Sequence, residues 1–340
     1  MHWLRRSLSV GLILHGLAHA GAGMWLTHQA YAHGQRGPLL GGAVLWTWVT
    51  VRFARAGFAL PRKARVAGRL AFGAALLSLV LLAFAWSPAM WFGLLVDAVI
   101  LLTVGLTSRT RWLLLRLPRD RAPLRPLRHA ATAVIGASTL LWPWYAHWNS
   151  SPAEVRAVLP GDESMMMMPH DVAFQSAVTI HAPPDRVWSW LVQIGQDRGG
   201  FYSYDALENV FGLRVHSAER IDPAWQQLHE GDRVRAVPDG WFGSRNLGWT
   251  VWRLDEGRLL VLRYWGSFVL APEGDGKTRL IARTPLGDPR DHVVRAGLGL
   301  VWEPLHFVME RKMLLGIKER AERPTPAPPA FEEPRASIPR

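Results

Sequence analysis

Two histidines near the start of the chain have the spacing of a ligand pair or of neighbouring proton carriers. His15 and His19 are four residues apart, so in a helix both imidazoles lie on one face. Both belong to an apolar stretch, and Asp97 lies near the middle of a later one. Ionisable side chains in such segments are costly and are usually paired. The three residues therefore form a candidate polar cluster within a membrane.

This cluster has several chemical interpretations. A His-x-x-x-His pair can bind a metal ion or haem, or it can join Asp97 in a proton path. A polar cluster that only specifies how the helices pack is the competing interpretation. Because the sequence offers no evident further ligand, we predict no metal ion and no cofactor here.

A second group of reactive side-chain types lies between residues 198 and 216. In a functional interpretation they surround a cavity mouth, where the arginine holds an anionic or carbonyl group and a carboxylate acts as acid or base. In a structural interpretation, Gly199 and Gly200 make a turn, the carboxylates cap a helix, and the arginine pairs with one of them. The histidine has the side chain best suited to proton transfer near neutral pH. The candidate catalytic residues are Arg198, Asp205, Glu208 and His216.

The net positive charge of the chain comes entirely from its first half. The 340 residues include 39 Lys and Arg against 27 Asp and Glu, and they include no Cys. Residues 1–150 hold 16 of the basic residues and only two acidic ones, whereas residues 151–340 hold 23 and 25. A nearly neutral second half argues against nucleic-acid binding. The absence of cysteine excludes disulfides and thiolate metal ligands.

Five apolar stretches interrupt the basic first half, and each approaches the roughly 20 residues that a helix needs to cross a bilayer. We therefore predict that residues 1–148 form a membrane region of about five helices. Basic residues concentrate in alternate loops, which predicts a cytoplasmic N-terminus and a second half outside the cytoplasm. A cleaved signal peptide is the alternative for the first stretch. The stretches are residues 7–27, 39–60, 67–86, 89–106 and 130–148.

The second half has the pattern of a soluble α+β domain. Residues 149–168 form a connector, which is followed over residues 169–322 by a strand, two short helices, several short strands and a long last helix. Turn clusters between the short strands are typical of antiparallel hairpins. The last helix is too charged for a sixth membrane span, and Pro304 is expected to kink or restart it. A Pro-rich tail at residues 323–340 is predicted to be disordered.

Several long motifs of the second half resemble a known superfamily. They include Ala-Pro-Pro-Asp-Arg-Val-Trp at residues 182–188, Leu-Val-Gln-Ile-Gly-Gln at 191–196 and Arg-Gly-Gly-Phe-Tyr-Ser-Tyr-Asp at 198–205. The run Met-Glu-Arg-Lys-Met-Leu-Leu-Gly-Ile-Lys at 309–318 is similar as well. Over residues 150–322, the chain closely resembles the SRPBCC superfamily, which contains START-like and polyketide cyclase/dehydrase-type proteins. It looks most like a bacterial branch with a membrane anchor.

The resemblance implies a helix-grip fold, in which a curved antiparallel sheet wraps a long C-terminal helix around an apolar cavity. Members bind lipids, sterols, polyketides or other hydrophobic small molecules, and a minority catalyse cyclisation or dehydration. Aromatic side chains would supply the cavity wall, and plain core packing is the alternative for each of them. The predicted ligand-binding residues are Trp188, Phe201, Tyr202, Tyr204, Trp249, Trp252, Tyr264 and Trp302.

These observations predict a multi-pass membrane protein whose C-terminal domain binds a hydrophobic or amphipathic small molecule near the outer membrane face. The molecule would be a lipid or a polyketide-like compound, and the expected partners are that molecule and the membrane, with no nucleic acid. Two alternatives stay open because fold alone does not decide function. One is a cyclase/dehydrase-type enzyme acting on such a ligand, and the other is a transporter or a carrier of protons or electrons that uses the membrane helices. The oligomeric state is left open.

Overall fold

A computed structural model describes residues 2–61, 63–84, 91–107, 125–165, 173–285 and 293–324 of the chain. Three sequence predictions concern other residues: most of the basic loop before the fifth apolar stretch, the last methionines of the connector, and the tail beyond residue 324. These lie outside the described residues.

The first half of the described chain is helical. Each predicted apolar stretch corresponds to one helix, which confirms the helical part of that prediction. Among the described residues, two segments are long and apolar enough to cross a membrane, Arg5–Ala32 and Ala64–Leu82, and Gly93–Val104 is a shorter apolar segment. The helices are α1 His2–Ala32, α2 Arg36–Ala59, α3 Ala64–Phe84, α4 Trp91–Thr107 and α5 Arg125–Tyr145.

Helices α1 and α2 pack closely because glycines line their contact. A Cβ atom at Gly23 would lie 2.6 Å from Cβ of Trp46, and one at Gly57 would lie 2.7 Å from the carbonyl oxygen of Ser9. Small residues at such contacts allow two helix backbones to approach each other and gain dispersion contacts. This approach buries the side chains of Trp46 and Phe53 completely. The two aromatic rings then pack against the histidines of α1.

The second half is an α+β domain with a six-stranded antiparallel sheet. Its strands are β1 Ala173–Ile180, β2 Arg233–Arg235, β3 Gly248–Asp255, β4 Leu259–Leu262, β5 Gly266–Glu273 and β6 Lys277–Pro285. The spatial order is β1-β6-β5-β4-β3-β2, so the five consecutive strands β2 to β6 each pair with the next and β1 pairs with the last strand. Its helices are α6 Pro152–Arg156, α7 Pro184–Val192, α8 Asp205–Val210 and α9 Val293–Ala321.

Helix α7 has one apolar face, which is buried. Val187, Trp188 and Leu191 are buried, and Ile194, just beyond the end of the helix, is buried with them. These side chains belong to the main buried cluster, which also contains Phe268 and other residues on one face of the sheet. The proline-rich start favours a helix because proline is tolerated in a first turn, where its missing N–H has no partner to lose. Burial of this helical face anchors α7 against the sheet.

The connector covers the opposite face of the sheet and is fastened there by a buried arginine. Leu159 packs against a second apolar cluster that includes Val261. Arg283 is 4% exposed and donates from Nη1 to Oδ2 of Asp162 at 2.7 Å and from Nε to Oε1 of Gln175 at 2.8 Å. Nη1 and Nη2 also donate to backbone carbonyls of the connector, at 3.0 and 2.8 Å, and Nη2 donates to Oε1 of Gln175 at 2.6 Å. A buried charge needs such a complete set of partners.

Helix α9 belongs to both halves of the protein. Met313 and Ile317, in its C-terminal half, join the main buried cluster of the sheet domain. Closer to its N-terminus, Phe307 packs with Trp142 of α5 in a separate cluster that also includes side chains of α1. The helix is continuous through Pro304 and does not restart there. One rigid element therefore connects the helical region to the sheet domain.

Candidate functional site

The polar cluster predicted from the sequence comes together between three helices. His15 and His19 lie on α1 and Asp97 lies on α4, and Ser78 of α3 completes the group. Nε2 of His15 is 2.8 Å from Oδ1 of Asp97, and Oγ of Ser78 donates to Oδ2 at 2.5 Å. Nε2 of His19 is 3.2 Å from Nε2 of His15 and 3.0 Å from Oγ of Ser78. All four side chains are buried.

Aromatic rings from α2 enclose this cluster. Phe53 lies edge-on to His15 with ring centres 4.7 Å apart, and it stacks on His19 at 5.4 Å. Trp46 also stacks on His19, at 5.6 Å. Apolar walls lower the local dielectric constant and strengthen each electrostatic contact between the polar atoms. The cluster is thus a compact, buried set of two imidazoles, one carboxylate and one hydroxyl.

Ser78 was missed in the sequence. It is the only hydroxyl-bearing residue in the apolar stretch 67–86, which is a signal that was available. Serine is common in membrane helices, however, and its partner cannot be identified before the packing of α3 against α1 is known. The structure supplies that packing.

A groove of about 500 Å³ lies between α5 and α9, where the helical region meets the sheet domain. Its walls are mostly apolar, and among the described residues that line it only Arg311 is charged. The guanidinium of Arg311 lies 4.9 Å from the ring centre of Trp148. The groove is lined by Ala137, Ser138, Leu141, Trp144, Tyr145, Tyr204, Pro304, Phe307, Val308 and Arg311.

The predicted ligand-binding aromatics divide into separate groups. Trp188 and Tyr202 are buried in the main cluster, and Phe201 and Trp249 pack against its edge. Trp249 lies only 4.2 Å, centre to centre, from the ring of Trp265. The ring of Phe201 lies 6.2 Å, centre to centre, from the rings of both Trp249 and Trp265, so these side chains pack together beside the buried cluster that joins the sheet to α9. Tyr204 is different, because its side chain lines the groove between α5 and α9.

The structure places three of the predicted wall residues outside that interior, which corrects the sequence-based interpretation. Trp252 is 47% exposed because it lies at an irregularity of β3, between the paired residues Val251 and Arg253. Tyr264 is 85% exposed and has a φ of 71°, since it forms the turn between β4 and β5. Trp302 is 63% exposed on α9.

The candidate catalytic residues make mainly local contacts. Arg198 donates from Nη2 to the carbonyl oxygens of Val192, at 3.0 Å, and of Trp225. It does not pair with a carboxylate in the described structure, contrary to the structural interpretation of the sequence. Asp205 accepts hydrogen bonds from the backbone N–H and the hydroxyl of Ser217, at 2.7 and 2.6 Å.

The expected helix cap at α8 is also different. The N-cap residue is Tyr204, and its side chain makes no capping hydrogen bond. The Asp205 carboxylate, which was expected to cap the helix, instead accepts hydrogen bonds from Ser217. Glu208 is buried, and burial together with the nearby Asp205 carboxylate raises its pKa. One of its oxygens, Oε1, has no hydrogen-bond partner among the described residues. His216 is exposed.

A further polar group, missed in the sequence, connects α5 with α9. Trp142 donates from Nε1 to Oε2 of Glu303 at 2.6 Å, and Nε2 of His306 is 3.1 Å from Oε2 of Glu310. Burial raises the pKa of Glu303 to about 7. Burial also disfavours the charged form of His306, but the Glu310 and Glu303 carboxylates outweigh it and hold the pKa of His306 above its ordinary value. The pairing of Trp142 with Glu303 spans 161 residues of sequence and so carries no local pattern.

Comparison of the chain with protein-family models, with curated proteins and with solved structures finds no match in any of the three. The SRPBCC resemblance therefore stays a prediction carried by its motifs. The functional proposal rests on the geometry of the molecule.

Proposed function

We propose that this protein is a membrane-anchored binding protein for an anionic, lipid-like amphiphile, which it holds in the groove between α5 and α9. The observation that carries the proposal is the composition of that groove. Its apolar walls are the environment that an acyl chain needs, and Arg311 offers a cation to a carboxylate or phosphate head group. A volume of about 500 Å³ lies within the usual range for small-molecule sites.

The proposed site differs from the one that the resemblance implies. Trp188 and Tyr202, which the resemblance would place on a cavity wall, are packed with Phe268 in the main buried cluster between the sheet and α9. The groove lies against the N-terminal half of the same helix, next to α5. Tyr204, one of the predicted ligand-binding residues, lines it. The amphiphile would therefore bind where the two halves of the protein meet.

The membrane anchor is the second part of the proposal. We place all five N-terminal helices across the bilayer, with the N-terminus in the cytoplasm and the sheet domain outside it. The lengths and apolar compositions of α1 and α3 support this placement. The alternation of basic loops supports its orientation, because Lys and Arg near a span are retained on the cytoplasmic side. A groove at the outer end of α5 would then be open to lipid.

We also assign the sheet domain to the helix-grip class of the SRPBCC superfamily. Two features support this assignment: the all-antiparallel order β1-β6-β5-β4-β3-β2, and the burial of the C-terminal half of α9 in the core beside that sheet. The motifs at residues 182–205 add sequence support.

A large side chain introduced into the groove tests whether the amphiphile binds there. Native mass spectrometry of the full chain in detergent would measure binding of oleate and, for comparison, of zwitterionic lysophosphatidylcholine. We expect Val308→Trp, on the groove wall, to abolish the binding of both. Leu305→Trp is the matched control, because Leu305 is exposed on the same helix and does not line the groove.

The head-group contact is tested separately. Arg311→Gln removes the cation and keeps most of the side-chain length, so oleate binding should weaken while lysophosphatidylcholine binding changes little. Undiminished oleate binding by both Val308→Trp and Arg311→Gln would reject the groove as the binding site.

A further inference from the structure

Donor atoms from three residues of the polar cluster converge at the separations of a metal coordination shell. Nε2 of His15 is 2.8 Å from Oδ1 of Asp97, Nε2 of His19 is 3.2 Å from Nε2 of His15, and Nε2 of His19 is 3.8 Å from Oδ2 of Asp97. Ligands about 2.0 Å from a tetrahedral Zn²⁺ ion are about 3.3 Å apart, which matches the middle of this range. The ligating atoms all lie within 4.8 Å of one another.

Hydrogen bonds can satisfy the polar atoms of the cluster, but they leave an unfavourable close contact between two imidazole nitrogens. If the hydrogen on Nε2 of His15 points to Asp97, and the hydroxyl hydrogen of Ser78 points to the other carboxylate oxygen, neither remains for Nε2 of His19. If Nε2 of His19 carries a lone pair, that lone pair then accepts no hydrogen bond. A hydrogen there would be directed at Ser78 but would lie beside another N–H, at a nitrogen separation of 3.2 Å. A cation between the atoms removes this conflict, because every atom then presents a lone pair.

We propose that His15, His19 and Asp97 bind a Zn²⁺ ion inside the helical region. Two imidazole nitrogens and one carboxylate oxygen form a donor set that suits zinc, and three protein ligands leave a fourth position for water. This proposal departs from the sequence-based expectation of no metal, which rested on counting ligands along the chain. It is independent of the amphiphile groove.

The surroundings favour a bound ion of this kind. Phe53 and Trp46 shield the site from competing water, and Ser78 hydrogen-bonds the carboxylate ligand, which orients it. A Zn²⁺ ion with a single carboxylate leaves one excess positive charge. Loss of a proton from a zinc-bound water would cancel that charge, because zinc lowers the pKa of such a water to about 7.

The consequence is structural, since the ligands come from α1 and α4 and the serine comes from α3. An ion at their centre ties three helices together at one depth. Metal binding to a folded site adds to folding stability, because the unfolded chain lacks the assembled ligands. Removing zinc should therefore lower the thermal stability of the helical region.

The test is zinc content and coordination in the full chain purified in detergent without an affinity tag that binds metal. After EDTA treatment and reloading with Zn²⁺, we expect a single zinc ion per chain by elemental mass spectrometry. His19→Gln and Asp97→Asn should lose it, whereas His129→Gln should keep it, since His129 is exposed on α5. Equal zinc content in all four proteins would overturn the proposal.

A second measurement does not depend on how well the variants fold. The wild-type protein reloaded with Co²⁺ should show the intense visible absorption of a four-coordinate site, and X-ray absorption of the zinc form should show two imidazole ligands. Absence of both signals overturns the site. A second result would also overturn the site: the protein retains no zinc, and its proteoliposomes conduct protons unless Asp97 is replaced by Asn. The cluster would then be a proton path.

Discussion

Trp142 of α5 and Glu303 of α9 form a hydrogen bond of 2.6 Å, with the indole N–H donating to a carboxylate that is 7% exposed. Phe307, one turn further along α9, packs in the same cluster as Trp142. The C-terminal half of α9 is meanwhile buried in the core of the sheet domain. This bond therefore couples the position of the helical region to the sheet domain through one continuous helix.

The first prediction concerns the pH dependence of this connection. Burial raises the pKa of Glu303 from 4.5 to about 7, so the folded protein holds the proton more tightly than the unfolded chain does. The resulting stabilisation is complete below pH 4.5 and is lost as the pH rises through 7, a loss of roughly 3 kcal/mol. His306, whose raised pKa acts in the same direction, adds to the decline. Thermal unfolding in detergent at several pH values measures it.

Glu303→Gln should remove the part of this decline that belongs to Glu303, because its amide oxygen still accepts from Trp142 but does not ionise. Glu256→Gln is the control, since Glu256 is exposed on the sheet domain. Wild type and Glu256→Gln should lose stability in parallel between pH 5 and pH 8, while Glu303→Gln is flatter. Identical profiles for all three proteins would contradict the role of Glu303.

A second prediction concerns the close contact of α1 and α2. Gly23→Ala introduces a Cβ that would lie 2.6 Å from Cβ of Trp46, so the two helices must separate. We expect a loss of roughly 1 to 3 kcal/mol, as for other overpacked contacts. Gly11→Ala on the same helix is the matched control, because its Cβ would meet no atom within 4 Å. Unfolding in sodium dodecyl sulfate would rank the two variants, and equal stability would disprove the close contact.

The sequence was informative wherever a local pattern carried the signal. The four-residue spacing of His15 and His19 set their shared helix face, and the scarcity of charge around Asp97 indicated a buried partner. Turn-forming residues separated the strands of the sheet. Each of these signals depends on neighbours within a few positions, where residue type and helical or strand periodicity decide the outcome.

The other contacts depended on packing between distant segments. Aromatic residue type suggested burial for Tyr264, but its place in a turn between two strands leaves that side chain in solvent. The Glu303 carboxylate counted in the sequence as a reason against a sixth span, while its actual partner, Trp142, lies 161 residues earlier. Nor could the groove be predicted, since it exists only where α5 and α9 meet.

A third prediction concerns the buried arginine that fastens the connector. Arg283→Met keeps the length of the side chain but leaves the Asp162 carboxylate buried without its cation, which should cost about 3 to 5 kcal/mol. Adding Asp162→Asn should recover part of this loss, because the amide is neutral. Arg258→Met, at an exposed position, should have little effect. Chemical denaturation followed by tryptophan fluorescence tests the series, and full stability of Arg283→Met would refute the fastening role.

The last prediction uses the absence of cysteine, which makes every introduced thiol unique in the chain. Val210→Cys lies in the sheet domain, where residue 210 is 79% exposed, and Lys63→Cys lies at an exposed position between α2 and α3. In intact spheroplasts of a bacterial host, a membrane-impermeant maleimide should label Val210→Cys at once and Lys63→Cys only after lysis. The reason is that basic loops are retained in the cytoplasm while the domain after α5 emerges on the other side. The reverse labelling pattern would invert the proposed topology, and labelling of both positions before lysis would indicate that the loop between α2 and α3 is not cytoplasmic.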